Sequence, residues 1–235
     1  MEHEEEKRPA SAQTRRETAA ALLFLPVHLV LLPSLAASAL AALGLAEEHI
    51  NFACYAVGAL YMLATQWGFL RRDFDALRGR VGYCIPELLS CCVALMLLNT
   101  GVNTLMALVL GMEENPNNEA IFELAAGARN SIFASAIYLA PIVEELIFRA
   151  GIFGSLRKYG RVSAYAFSAL AFALYHVWPY LSGGAENLLY IVQYIPAACV
   201  LCRLYERTES IWMPIFLHMM LNGVSLSALE AIGAL

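Results

Sequence analysis

Three groups of polar side chains stand inside stretches that are otherwise apolar. The first is Pro-Ile-Val-Glu-Glu-Leu-Ile-Phe-Arg, which holds Glu144, Glu145 and Arg149. On a helix Glu145 and Arg149 are four apart and share a face, so carboxylate and guanidinium can pair, whereas Glu144 points about 100° away. Glu144 is thereby left to address something else. The second group, Ala-Phe-Ala-Leu-Tyr-His-Val-Trp-Pro, sets His176 one turn after Phe172. The third, Phe-Leu-His-Met-Met-Leu-Asn-Gly, sets His218 and Asn222 four apart, and an amide one turn from an imidazole can fix its tautomer or hold a water. Taken singly, each group has a structural reading: a locking ion pair, a core histidine, a satisfied amide. Together, two imidazoles, an amide and a carboxylate outside the ion pair supply a wet polar pocket between helices, and activation of water is the chemistry such a set supports.

The elements that must position these groups are set by composition. Of 235 residues, 60% are hydrophobic and 15% charged, and the mean hydropathy is +0.59. So few charges on so much apolar surface exclude a water-soluble globule, a disordered chain and a nucleic-acid binder. Crossing about 30 Å of hydrocarbon takes around 20 helical residues. Seven apolar runs meet that length, at 19–43, 50–70, 84–110, 131–153, 162–181, 187–205 and 211–232. The sequence predicts an all-α, polytopic membrane helix bundle of seven transmembrane helices: a single transmembrane domain at 19–235, with 131–232 as a four-helix catalytic core. An ionisable group costs about 2.5 to 3.5 kcal/mol at the centre of a membrane helix, so several together require a reason. The first three spans are read as holding no ionisable residue to match.

Charge placement orients the bundle. Thirteen of the 15 basic residues fall on alternate connections: Lys7, Arg8, Arg15 and Arg16 before the first span, Arg71, Arg72, Arg78 and Arg80 after the second, Arg157, Lys158 and Arg161 after the fourth, Arg203 and Arg207 after the sixth. The other connections carry Glu47, Glu48, Glu113, Glu114, Glu119, Glu123 and Glu186, with Arg129 as their one loop base. The positive-inside rule then predicts a cytoplasmic amino terminus and a carboxyl terminus on the far side. The charged stretch 1–18 is expected to be a mobile cytoplasmic tail, followed by a retained anchor instead of a signal core. The connection 111–130 is expected to begin a short interfacial helix at Asn-Pro-Asn-Asn, with Ile121, Phe122 and Leu124 toward lipid. Cysteines 54, 84, 91, 92, 199 and 202 lie in or beside apolar spans and read as small packing residues, the Cys199/Cys202 pair included.

Glu-Glu-x-x-x-Arg, Phe-x-x-x-His and His-x-x-x-Asn, in that order on successive membrane helices, resemble the motifs of the CPBP/ABI family of intramembrane proteases, the type II CAAX prenyl endopeptidase-like, glutamic-type enzymes. Here they read Glu144-Glu145-Leu-Ile-Phe-Arg149, Phe172-Ala-Leu-Tyr-His176 and His218-Met-Met-Leu-Asn222. The resemblance covers about 140–225. It implies hydrolysis of a peptide bond in a membrane-associated substrate, such as a prenylated CAAX tail or a C-terminal or leader tail. Glu144 is then the base that activates water, with the help of His176. His218 and Asn222 stabilise the oxyanion, while Glu145, Arg149 and Phe172 support the site.

The resemblance allows both metalloprotease and glutamate-dependent mechanisms, and a metal-independent one with no cofactor is favoured here. The alternative is Zn2+ held by Glu144, His176 and His218, although the HExxH spacing is absent and the candidate ligands come one per helix. Expected partners are a membrane-associated peptide or protein and the lipid bilayer, with no nucleic acid. The expected location is a prokaryotic inner membrane or, alternatively, the endoplasmic reticulum. Two other classes compete: a non-catalytic immunity or regulatory scaffold, and a transporter, which would show repeats and broken helices in both halves. One feature of the depths resists this scheme. At 1.5 Å per residue, Glu144 lies about 13 to 14 Å from the cytoplasmic end of its span and His218 about 10 Å, but His176 about 21 Å. A start of helix five nearer Tyr165 would reconcile them.

Overall fold

The computed structural model describes residues 12–112 and 115–231, all helix and short connections. Seven helical rods follow one another: α1 Arg15–Ala42, α2 Ile50–Arg78, α3 Val81–Leu110, α4 Pro116–Tyr159, α5 Arg161–Val177, α6 Ala185–Thr208 and α7 Trp212–Ala231. Four of them, α1, α3, α4 and α6, are long and apolar enough to cross a membrane by length and composition alone. The chain is a multi-pass, all-α membrane protein.

The first rod starts at Arg15, four residues ahead of its predicted start, because Thr14 and Glu17 form a reciprocal capping box that satisfies two otherwise orphaned backbone donors. The first eleven residues of the predicted tail, with Lys7 and Arg8, lie outside the described residues, as do Glu113 and Glu114. Glu17 then pairs with Arg72 at 2.9 Å and its carbonyl accepts from Gln66 Nε2 at 2.7 Å, which fastens α1 to α2 at the basic end.

The rod α4 is the axis of the bundle. Val143 to Ala150 are buried without interruption, as expected for a helix enclosed on all sides. It is longer than predicted at both ends. Asn115 caps it through its side chain, and Ala128 breaks its regularity with φ −136° and ψ 49°, so that the stretch read as a loop is the first limb of a kinked rod. By contrast, α3 lies at the periphery and exposes Leu89, Val93, Leu97 and Leu108, as a lipid-facing helix does.

Two prolines shape α1 and α4 in the same way. Wide π turns occupy Val27–Leu31 and Ser135–Leu139, and Pro33 and Pro141 follow each by two residues. Proline lacks the N–H that would close the next backbone bond, and its ring crowds the carbonyl one turn back. Widening the turn relieves that crowding. A third π stretch, Leu146–Phe153, follows Glu145 directly.

The depths of the site residues agree once the true ends are known. Glu144 stands fifteen residues before Tyr159 and His176 fifteen after Arg161, which puts both about 22 Å from the basic end. Helix five therefore begins at Arg161, not near Tyr165, and the predicted end of span four at 153 was six residues too early. His218 reaches the same level because the start of α7 is sunk into the bundle. There Asp73, buried inside α2, accepts from Ser210 Oγ at 2.6 Å and from the Ile211 N–H at 3.0 Å.

Candidate functional site

Glu144, Glu145, Arg149, His176 and His218 meet at one place in the interior. Their residue exposures are 2% for Glu144, 0% for Glu145 and Arg149 and 7% for His218, and the His176 side chain is 14% exposed. The predicted ion pair is present, with Arg149 Nη1 2.9 Å from Glu145 Oε1. It does more than lock a helix. The same Oε1 lies 2.8 Å from His218 Nδ1, so Glu145 joins a guanidinium on its own rod to an imidazole on α7.

These contacts fix where the ring protons sit. His176 Nδ1 is 2.9 Å from the carbonyl of Phe172, which can only accept, so Nδ1 carries the hydrogen and Nε2 is left free. His218 Nδ1 donates to the Glu145 carboxylate by the same reasoning. Both Nε2 atoms point to one atom, Glu144 Oε2, at 3.7 Å from His176 and 3.8 Å from His218. That oxygen is buried and has no hydrogen-bond partner among the described residues. The two Nε2 atoms and Oε2 thus face one another without a direct hydrogen bond, and a water that donates to two of them is the smallest group that can link the set.

Phe172 is the floor of the site. Its ring lies 4.4 Å from that of His176 and 6.0 Å from that of His218 between centroids, and the Arg149 guanidinium stacks over it at 4.2 Å. A cation on an aromatic face loses less on burial than one against aliphatic carbon, which helps to keep Arg149 inside.

Asn222, one turn after His218, is not what fixes that ring's tautomer. The tautomer of His218 is set by Glu145, and Asn222 Nδ2 donates to the carbonyl of Ala136 at 2.7 Å. The reason lies in the π turn. The Ala140 N–H bonds five residues back to Ser135; in the same register Pro141 would bond Ala136, but it has no hydrogen to give. Asn222 fills that gap from the neighbouring rod and keeps its second amide hydrogen for another acceptor.

Sequence reasoning missed four aromatic partners. The Tyr55 hydroxyl, on α2, is 2.9 Å from Glu144 Oε1, and Tyr175 is 2.8 Å from Tyr55 between hydroxyls. Tyr194 stacks on His176 at 4.6 Å and is tied by its hydroxyl to Asn115 at 3.1 Å. His28, buried in the first π turn, lies 4.9 Å from the Tyr55 ring. The first two rods thus bury two ionisable groups, His28 in α1 and Asp73 in α2 beyond its predicted span. Tyr175 was in view, next to His176, but nothing in the apolar run around Tyr55 marks it out.

Two imidazoles and a carboxylate are zinc ligands in kind. Among the described residues, however, no three His, Cys, Asp or Glu side chains are grouped so as to hold a metal ion.

Comparison with known proteins finds similarity to membrane peptidases. Residues 128–224 match the family model described as type II CAAX prenyl endopeptidase Rce1-like. The chain is 34% identical over 110 residues to a Bacillus subtilis protein named "Putative membrane peptidase YdiL", covering 46% of this chain and 41% of that one. It is 28% identical over 149 residues to the membrane-embedded CAAX protease MroQ of Staphylococcus aureus, covering 60% and 56%. The alignments thus span about half the length of these relatives. No solved structure matches. The matched segment holds Glu144, Glu145, Arg149, Phe172, His176, His218 and Asn222, and over it the chain is similar to the type II CAAX prenyl endopeptidase Rce1-like family.

Proposed function

We propose that the protein is an intramembrane endopeptidase in which Glu144 activates a water to cleave a peptide bond of a membrane-associated substrate. The observation that carries this reading is the convergence of two imidazole Nε2 atoms, at 3.7 and 3.8 Å, on a buried Glu144 Oε2 that has no other partner among the described residues. Water there gives one hydrogen to Oε2 and is oriented by His176. As its oxygen bonds to the scissile carbonyl carbon, the proton passes to Oε2, and from there to the amide nitrogen as the C–N bond breaks. His218, oriented through Nδ1 by the Glu145 carboxylate, lines the side of the water on which the oxyanion develops. The second amide hydrogen of Asn222 is a donor for that oxyanion.

Prenylated CAAX tails and other C-terminal or leader tails are the substrate class consistent with the family, and the bacterial relatives support a plasma-membrane location with the basic connections in the cytoplasm. Zinc is the alternative route, with Glu144, His176 and His218 as its ligands. The test is to purify the chain in detergent and assay a panel of lipidated and unlipidated peptides, with Glu144→Ala and with a chelator. Cleavage that survives the chelator and is lost in the variant supports the glutamate mechanism. Loss with both restores zinc, and cleavage that persists in Glu144→Ala overturns the assignment. No cleavage of any peptide, by a chain that still binds them, favours a non-catalytic scaffold.

A further inference from the structure

The Glu144 carboxylate has two oxygens in different surroundings, and the difference comes from a helix outside the family-matched segment. We infer that Tyr55 is a positioning residue for hydrolysis, gripping Glu144 by Oε1 so that only Oε2 meets the nucleophilic water; this rests on the protease reading above.

A phenol has one hydrogen to give and a carboxylate can only accept, so the 2.9 Å contact spends the Tyr55 hydrogen on Oε1. The 2.8 Å contact with Tyr175 must then run the other way, from the Tyr175 hydroxyl to the Tyr55 oxygen. The direction is set throughout: Tyr175 to Tyr55 to Glu144. Consecutive residues of α5 thereby serve both oxygens, Tyr175 through Tyr55 on one side and His176 facing Oε2 on the other.

Such a grip matters because the terminal torsion of a glutamate is broad and roughly twofold. Rotation by half a turn exchanges two equivalent oxygens, but any smaller rotation swings the basic lone pair away from the water. Tyr55 fixes the carboxylate plane. Its own ring is held against His28 at 4.9 Å and that of Tyr175 against Phe148 at 5.4 Å, so neither phenol is free to follow a rotating carboxylate. During the reaction the proton from water arrives on Oε2 and leaves to the amine, while Oε1 remains an acceptor throughout. The clamp therefore need not break at any step.

The experiment compares Tyr55→Phe, Tyr175→Phe, the double variant and Glu144→Gln in the full chain, with kcat and KM for a cleaved peptide and a thermal melt of each. Loss of a hydrogen bond to a charged group should lower kcat about 10- to 100-fold in Tyr55→Phe with KM unchanged, and a few-fold in Tyr175→Phe. The double variant should be no worse than Tyr55→Phe, since Tyr175 acts only through it. Full kcat in Tyr55→Phe, a loss confined to KM, or additive losses in the double variant overturn the inference while leaving Glu144 as base. Should Tyr55→Phe melt out, an unaltered kcat in Tyr175→Phe overturns it as well. Cleavage retained by Glu144→Gln removes Glu144 as the base, and none by the wild type removes the protease reading; the clamp falls with either.

Discussion

Glu145 and His218 are joined at 2.8 Å between Oε1 and Nδ1, although 73 residues separate them in the chain. The carboxylate that neutralises Arg149 is therefore the same one that sets the proton on the imidazole of α7. Removing it harms two things at once, and the two can be separated.

Glu145→Gln leaves the fully buried Arg149 without its counter-charge, at a cost of about 3 to 5 kcal/mol. Thermal melts in detergent should show a large loss of stability. Adding Arg149→Met to that variant should restore much of it, because an apolar side chain of similar length needs no partner. Activity should stay low in the double variant, since His218 has still lost its carboxylate. Recovery of activity together with stability would show that the pair has only a structural role.

Asn222→Ala exposes the second consequence of the π turn. The Ala136 carbonyl, which Asn222 serves at 2.7 Å, loses its side-chain donor, for a destabilisation of about 1 to 3 kcal/mol. If the remaining amide hydrogen also serves the oxyanion, kcat should fall about 100-fold with KM little changed. A stability loss with intact kcat would confine Asn222 to holding α7 against α4.

Asp73→Ala tests the sunken start of α7. Asp73 accepts from Ser210 Oγ and the Ile211 N–H in the interior, so its removal should cost about 1 to 3 kcal/mol. Hydrogen exchange should accelerate first at the beginning of α7. Uniform acceleration along the whole rod would contradict a local capping role.

Two glycines should behave in opposite ways. A Cβ on Gly58 would meet Val143 Cγ2 at 3.2 Å and Phe24 Cε1 at 3.3 Å, beside the site, whereas a Cβ on Gly101 meets nothing within 4 Å. Gly58→Val should destabilise and impair cleavage, since α2 must back away from α4 and carry Tyr55 with it. Gly101→Ala should be neutral or stabilising by up to about 1 kcal/mol. Equal melting behaviour of the two would refute the close packing of α1, α2 and α4.

Much of this arrangement was legible in the sequence. Apolar run length and alternate basic loops mark seven rods, and helical spacing pairs Glu145 with Arg149 while freeing Glu144. Tyr55 was not legible, because a tyrosine within an apolar helix looks like any packing aromatic until a distant carboxylate is seen beneath its hydroxyl. The link from Glu145 to His218 was hidden for the same reason: spacing reports neighbours along one helix and is silent about those across a bundle. The extension of α4 to Tyr159 was obscured by Arg157 and Lys158, charges that end the apolar run without ending the helix. The destination of Asn222 needed the π turn, which follows from Pro141 only once its backbone register is known.

Because the phenol against Glu144 and the imidazole behind it come from residues 55 and 28, the four-helix segment is not a self-sufficient cartridge. Transplanted alone into another scaffold it would keep every motif residue and yet present its base on an unbraced stem. A minimal portable catalyst would have to bring the first two rods with it.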